Sequence, residues 1–194
     1  MSEPQPPDVD EAPESRRGRL LVASPSLVDP NFRRCVVLML EHSPEGALGL
    51  VLNRPTPLVA REALPGHLAD AMPAGERVHQ GGPVQPEAVI VLADFEDTTL
   101  AAAVAFAEVG IVDPEADAAR LDGGVRAIRA FGGYAGWGGG QLEQEVAEEA
   151  WIDAEPDAAD VFTDDHDGLW SRVLERKGGT WRLVARMPED PSLN

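Results

Sequence analysis

The chain has 194 residues, of which 43% are hydrophobic and 26% charged, with a single cysteine. Those proportions belong to an ordinary globular protein and exclude a cysteine-stapled scaffold or a cysteine-rich zinc site. Sixteen basic residues against 34 acidic ones give a formal charge of −18, which opposes binding to phosphate backbones and anionic lipid surfaces, and no apolar run reaches the roughly 20 residues of a membrane helix.

Residues 1–17 hold four prolines and five acidic residues with almost nothing to bury, a composition that cannot offset the entropy of ordering and predicts a disordered tail. It has no apolar signal-peptide core. A single compact domain is expected over 18–194. Arg19 to Ala23, Arg34 to Leu40 and Ala47 to Asn53 are apolar runs of strand length. The turn formers in Glu41 to Gly46 predict that the second and third make a β-hairpin, which Asn53-Arg54-Pro55 ends. Arg77 to Gln80 and Ala88 to Leu92 are further strand candidates on either side of a Gly81-Gly82-Pro83 turn. Alanine-rich Leu100 to Glu108 favours a helix.

In the second half, Val125 to Phe131 predicts a strand feeding a glycine-rich loop, Gly132 to Gly140, and then a helix over Gln141 to Ala150. Trp151-Ile152 begin another extended piece, and Ala154 to Ala159 form an acidic connection. Asp164 is placed to cap a helix from about Asp165 to Arg176, with Leu169, Val173 and Leu174 on one face and Gly178-Gly179 ending it. Thr180 to Ala185 read as a last strand, and Met187 to Asn194 trail off. The fold class expected is α/β, or α+β, with flanking helices on a mixed sheet that contains at least one hairpin.

Chemistry is sparse in the motifs. Cys35 lies in an apolar run, where burial keeps a thiol protonated and inert. The histidines, His42, His67, His79 and His166, lack metal-ligand spacing, and Thr163 to Gly168 fails as a calcium loop because positions one and twelve would be Thr163 and Leu174. Nucleophile-elbow, dinucleotide and P-loop signatures do not occur, so neither a metal nor a cofactor is expected. Two segments stand out. Gly132 to Glu145 has six glycines in its first nine residues around Tyr134 and Trp137, which serves either to wedge aromatics into a core or to bring backbone amides to a ligand. Asn53-Arg54 either satisfies backbone groups or presents a guanidinium fork to an anion.

Taken together, GRLLVASPSLVDPNFRRCVVLMLEH, GALGLVLNRP, GGPV at 81–84, GYAGWGGGQLEQE from Gly133 and the final DPSLN resemble the YqgE/AlgH family of bacterial proteins in the family's own order. The resemblance covers nearly all of 18–194 and implies a mixed α/β fold without an established reaction; one branch is linked to transcriptional regulation of alginate synthesis. The family's distinctive positions fall on Phe32, Asn53, Arg54, Gly81, Gly82, Tyr134, Trp137, Gln141 and Glu143, and all but Phe32 are carried as candidate ligand- or partner-binding residues. The stretch Asp94 to Gly124 departs from the family pattern.

The function expected is a cytoplasmic, non-enzymatic regulatory or binding module that meets an unidentified protein or small molecule on the face of the Asn53-Arg54 and Gly132 to Gln141 segments. The alternative is an enzyme or nucleotide-like sensor in which Trp137 stacks a ring and Arg54 pairs an anion. Direct, specific DNA binding is not expected: arginines are never more than two adjacent, and Gln141 to Ala150 carries four glutamates and no basic residue. A folded patch of Arg16, Arg17, Arg19, Arg33 and Arg34 is the one arrangement that would favour it.

Overall fold

Apolar runs without polar alternation, such as LLVA and VVLML, mark strands covered on both faces. In the computed structural model, which describes residues 15–188, they are β1 (Leu20–Ala23) and β2 (Val36–Ser43), near one end of a ten-stranded sheet. Leu20, Val22, Val36 and Leu38 point into one core cluster, while Leu21, Ala23, Val37 and Met39 point into another on the opposite face. β2 and β3 (Gly46–Val51) form the expected antiparallel hairpin, closed between Ser43 and Gly46.

The remaining strands are β4 (Pro55–Val59), β5 (Arg77–Gln80), β6 (Val84–Phe95), β7 (Ala101–Phe106), β8 (Val109–Val112), β9 (Val125–Gly138) and β10 (Trp151–Ala154). They run β10-β1-β2-β3-β9-β6-β8-β7, and among the described residues β4 pairs only with β5. β5 lies parallel to β9 through His79 and Phe131, so the sheet is mixed, though every other pairing is antiparallel. Val109 of β8 and Ile152 of β10 share one core cluster, so the sheet curls until strands far apart in its order face each other. Helices α5 (Ala158–Val161), α6 (Leu169–Lys177) and α7 (Trp181–Val184) cover that cluster. Helices α1 (Ala60–Ala63), α2 (Gly66–Ala71) and α3 (Ala118–Leu121) cover a second, and α4 (Gln141–Ala147) covers the third, around Trp137. The molecule is mixed α and β, with sheet predominating, and no helix among the described residues is long and apolar enough to cross a membrane.

Four sequence expectations are corrected. Leu100 to Glu108 is not a helix: β7 pairs with β8 from Ala101 to Phe106, because cross-strand pairing overrides the weak intrinsic preference of alanine. Gly132 to Gly138 is not a loop but the second half of β9, bonded to β3 and β6. Thr180 to Ala185 is helical, and its apolar residues recur at helical spacing, with Trp181, Val184 and Ala185 on the core. α6 begins four residues later than expected, because the Asp164 carboxylate faces Arg129 at 3.3 Å while Asp165 accepts the Gly168 amide at 3.0 Å.

Of the expected tail, residues 1–14 lie outside the described residues, as do 189–194 of the expected trailing end. Residues 15–17 are placed on the sheet: the Arg16 amide donates to His42 Nδ1 at 2.9 Å, and Arg17 Nη2 donates to the Val104 carbonyl of β7 at 2.7 Å.

Candidate functional site

Where proline stops β3 from continuing as a ladder, two side chains extend it. Asn53 is buried; its Oδ1 accepts the Val36 amide at 3.0 Å and its Nδ2 donates to the Arg34 carbonyl at 3.0 Å. Arg54 repeats the device one step on, donating to the carbonyls of Asn53 and Arg33. The clamp holds the chain entering β2 in an unusual shape: Arg34 has φ +52°, a left-handed conformation that costs a non-glycine residue about 1 kcal/mol or more. Its guanidinium is held in turn, stacked 4.2 Å above the Trp170 ring and donating to the Met187 carbonyl.

The result is a cleft of about 300 Å³ lined by Arg33, Arg34, Asn53, Arg54, His166 and Asp167. Among the described residues, three arginines and one carboxylate therefore line it, in a chain of net charge −18. Arg33 and Arg34 also border a second hollow of about 310 Å³, whose other walls include Leu27, Val28, Trp170 and Met187. Arg16, Arg17 and Arg19 take no part in either: Arg19 bonds Asp153 and Glu155, Arg16 faces Asp153, and Arg17 holds β7, so the five-arginine patch does not form.

His166 leads from the cleft into a buried polar layer. Its ring meets that of His79 edge-on at 4.8 Å between centroids. His79 donates from Nδ1 to the Arg77 carbonyl at 3.1 Å, which leaves its buried Nε2 as an acceptor with no partner among the described residues. Beside it Arg129, 3% exposed, donates to Glu76, to the carbonyls of Val161 and Thr163, and to Asp164. Burial first, and the Arg129 charge second, push His79 down to about 3 and hold His166 below the usual histidine range. Cys35 is inert as expected: burial pushes its thiol up to about 12, against the weaker opposing pull of Arg54.

The other sequence candidates lie elsewhere. Trp137 is 7% exposed, packed at 6.4 Å from the Phe32 ring and 5.8 Å from Trp151. Both indole N–H groups donate to one oxygen of Glu145, at 2.9 and 2.7 Å. Gln141 accepts the Gly138 amide and donates to Glu145's other oxygen. Glu143 accepts from His42 Nε2 at 2.6 Å; burial opposes its ionisation, but its backbone and His42 hydrogen bonds outweigh that and hold the carboxyl below its usual range. Tyr134 is half-buried against the main core and, with Trp137, borders a separate open hollow that includes Glu41 and Glu45. Gly81 and Gly82 cross β9 so closely that a Cβ would sit 2.3 Å from the Gly133 carbonyl oxygen and 2.1 Å from the Tyr134 carbonyl carbon.

The structure thus groups Asn53 and Arg54 with Arg33, Arg34 and His166, and sets Trp137, Gln141 and Glu143 apart in packing around α4. Arg54 and Trp137 line different clefts. The Arg33-Arg34 pair was visible in the sequence as two adjacent cations; nothing near His166 marked its place beside them.

A family model described as AlgH-like matches residues 20–182. A UPF0301 protein of Streptomyces coelicolor is 45% identical over 186 residues, covering 93% of this chain and 96% of its own. Another, from Chlorobium limicola, is 40% identical, covering 96% of this chain and 100% of its own. Among solved structures, a Corynebacterium diphtheriae protein shares the fold at TM-score 0.80 and 24% identity, over 95% of this chain and 94% of its own. The AlgH protein from Pseudomonas aeruginosa aligns at TM-score 0.66 and 28% identity, over 97% and 98%. By its match to the family model and by relatives that align along almost their full length, the chain belongs to the AlgH-like family.

Proposed function

We propose that the protein is a non-enzymatic binding module of a regulatory kind, acting in the cytoplasm, that captures an oxyanion in the Arg33, Arg34 and Arg54 cleft. The observation that carries this reading is the convergence of three arginines on one cleft, Arg34 and Arg54 of them held by backbone carbonyls, in a chain of net charge −18. Guanidinium forks match carboxylate and phosphate geometry. Arg54 gives two N–H groups to carbonyls and, among the described residues, keeps others for a ligand. Among the described residues the lining holds no hydroxyl or thiol nucleophile, which favours binding over covalent chemistry.

Thermal melts with phosphate and acetate, against sodium chloride at matched ionic strength, test the reading. A ligand that prefers the native state raises the melting temperature by mass action. Stabilisation that exceeds the salt control and is lost in Arg54→Gln supports the site. Identical curves in all three salts would refute it.

A further inference from the structure

Three features of the second hollow bear on what the arginine cleft receives. First, the two spaces are continuous in their walls, because Arg33 and Arg34 border both. Second, the far side is apolar and, among the described residues, exposed. Val28 is 78% exposed and Met187 44%, two of the five large hydrophobic side chains left exposed among the described residues. Third, the partition between the two spaces is fixed: Arg34 rests on Trp170, which is itself anchored by donating from its indole to the Ala23 carbonyl at 2.7 Å, while the Met187 carbonyl accepts from Arg34. Each space, at about 300 Å³, stands at the small end of ligand pockets, which run from about 300 to 1,000 Å³. One holds charge and the other holds apolar surface.

Resting on the oxyanion reading above, we propose that the ligand is amphipathic: a carboxylate or phosphate-monoester head on Arg33, Arg34 and Arg54, with a short unbranched apolar chain laid over Leu27, Val28 and Met187. Charge complementarity selects the head: among the described residues Arg34 and Arg54 outnumber Asp167, the one carboxylate in the lining. The chain gains by covering side chains that water now wets; full burial of a methylene is worth about a fourfold gain in affinity, and an open hollow about half that factor. The source is a free molecule rather than a bilayer, because a chain of net charge −18 is repelled by anionic membranes.

The test is a two-dimensional NMR titration of the full chain, at constant ionic strength and below micelle-forming concentrations, with acetate, hexanoate, octanoate, octyl phosphate and neutral octanol. Affinity is expected to rise at least threefold from hexanoate to octanoate. Octanol is expected to bind at least tenfold more weakly than the better of the two octyl anions, and whichever of octanoate and octyl phosphate binds tighter identifies the head. Val28→Glu, at a position too exposed to matter for folding, should abolish the dependence on chain length while acetate still shifts the same amides. Arg54→Gln should weaken every anion; a two-dimensional spectrum checks that this variant is folded, and Arg33→Gln serves in its place if it is not. Anions of all lengths binding alike would overturn the amphipathic ligand and leave the oxyanion site standing. No anion-specific shift at residues 33, 34 or 54 would overturn both. Pelleting with phosphatidylglycerol vesicles would overturn the free-molecule source.

Discussion

Replacing Trp137 separates a packing role from a recognition role. The indole is 7% exposed, lies against Phe32 and Trp151, and donates to Glu145 at 2.9 Å. Returning its apolar surface to water costs about 2 to 3 kcal/mol. Each aromatic contact adds about 0.5 to 1.5 kcal/mol, and the bond to a carboxylate about 1.5 kcal/mol, with partial overlap among these contributions. Trp137→Ala should therefore lose about 3 to 5 kcal/mol, the usual cost of truncating a buried aromatic ring. For a domain of this size each kcal/mol moves the melting temperature by about 2 to 4 °C, so calorimetry should show a drop of about 6 to 20 °C. Trp137→Phe keeps most of the buried surface and forfeits the hydrogen bond, and should lose about 1 to 2 kcal/mol. An alanine variant melting within about 2 °C of the parent would refute the packing argument and return Trp137 to the list of ligand contacts.

Asn53→Ala strands a buried amide at Val36 and a carbonyl at Arg34, for an expected loss of about 2 to 4 kcal/mol in urea unfolding; a loss under 1 kcal/mol would mean that the clamp is dispensable. A native His79 that resists protonation down to about 3 binds fewer protons below pH 6.5 than the unfolded chain does, so stability falls as the pH falls across that window. At 1.36 kcal/mol per pKa unit, the wild type should lose about 2 kcal/mol more than His79→Gln between pH 6.5 and 4.5, and parallel pH profiles would contradict this. A chain beginning at Gly18 should be about 1 kcal/mol less stable than one beginning at Ser15, because it lacks the Arg16 and Arg17 bonds to His42 and Val104; equal melts would show that those bonds contribute nothing. Fluorescence anisotropy with promoter fragments at physiological salt should find no sequence-dependent binding tighter than about 10⁻⁸ M, since three of the five arginines of the one conceivable basic patch are engaged by carboxylates or strand carbonyls.

What the sequence disclosed was what depends on neighbours along the chain. The β2–β3 hairpin was legible because two apolar runs flank a short segment rich in turn formers, and α6 was legible, apart from its start, from its apolar face. The glycines after Phe131 were ambiguous: absence of a Cβ suits a loop, and it equally suits a strand crossed closely by another segment, as Gly81-Gly82 cross β9. Only the distant partner decides between these. β7 was hidden for the same reason, since nothing within AAAVAF shows that β8 waits beside it. At the site, Asn53 and Arg54 could be read as backbone-satisfying residues, which they are. The cleft itself needs the hairpin register to carry Arg54 back beside Arg33, and a loop more than a hundred residues further on to supply His166.

The position of β1 has a bearing on how the protein is made. Its neighbour on one side is β2, which begins thirteen residues downstream, but its neighbour on the other is β10, where Leu20 meets Ala154. During synthesis the open side of β1 therefore stays without its mate until β10, more than a hundred residues downstream, has left the ribosome. An apolar strand with an unpaired edge is a template for pairing between chains. The closing of β1 by β10 makes completion of this sheet a late step in folding, slowed by the long loop to be closed.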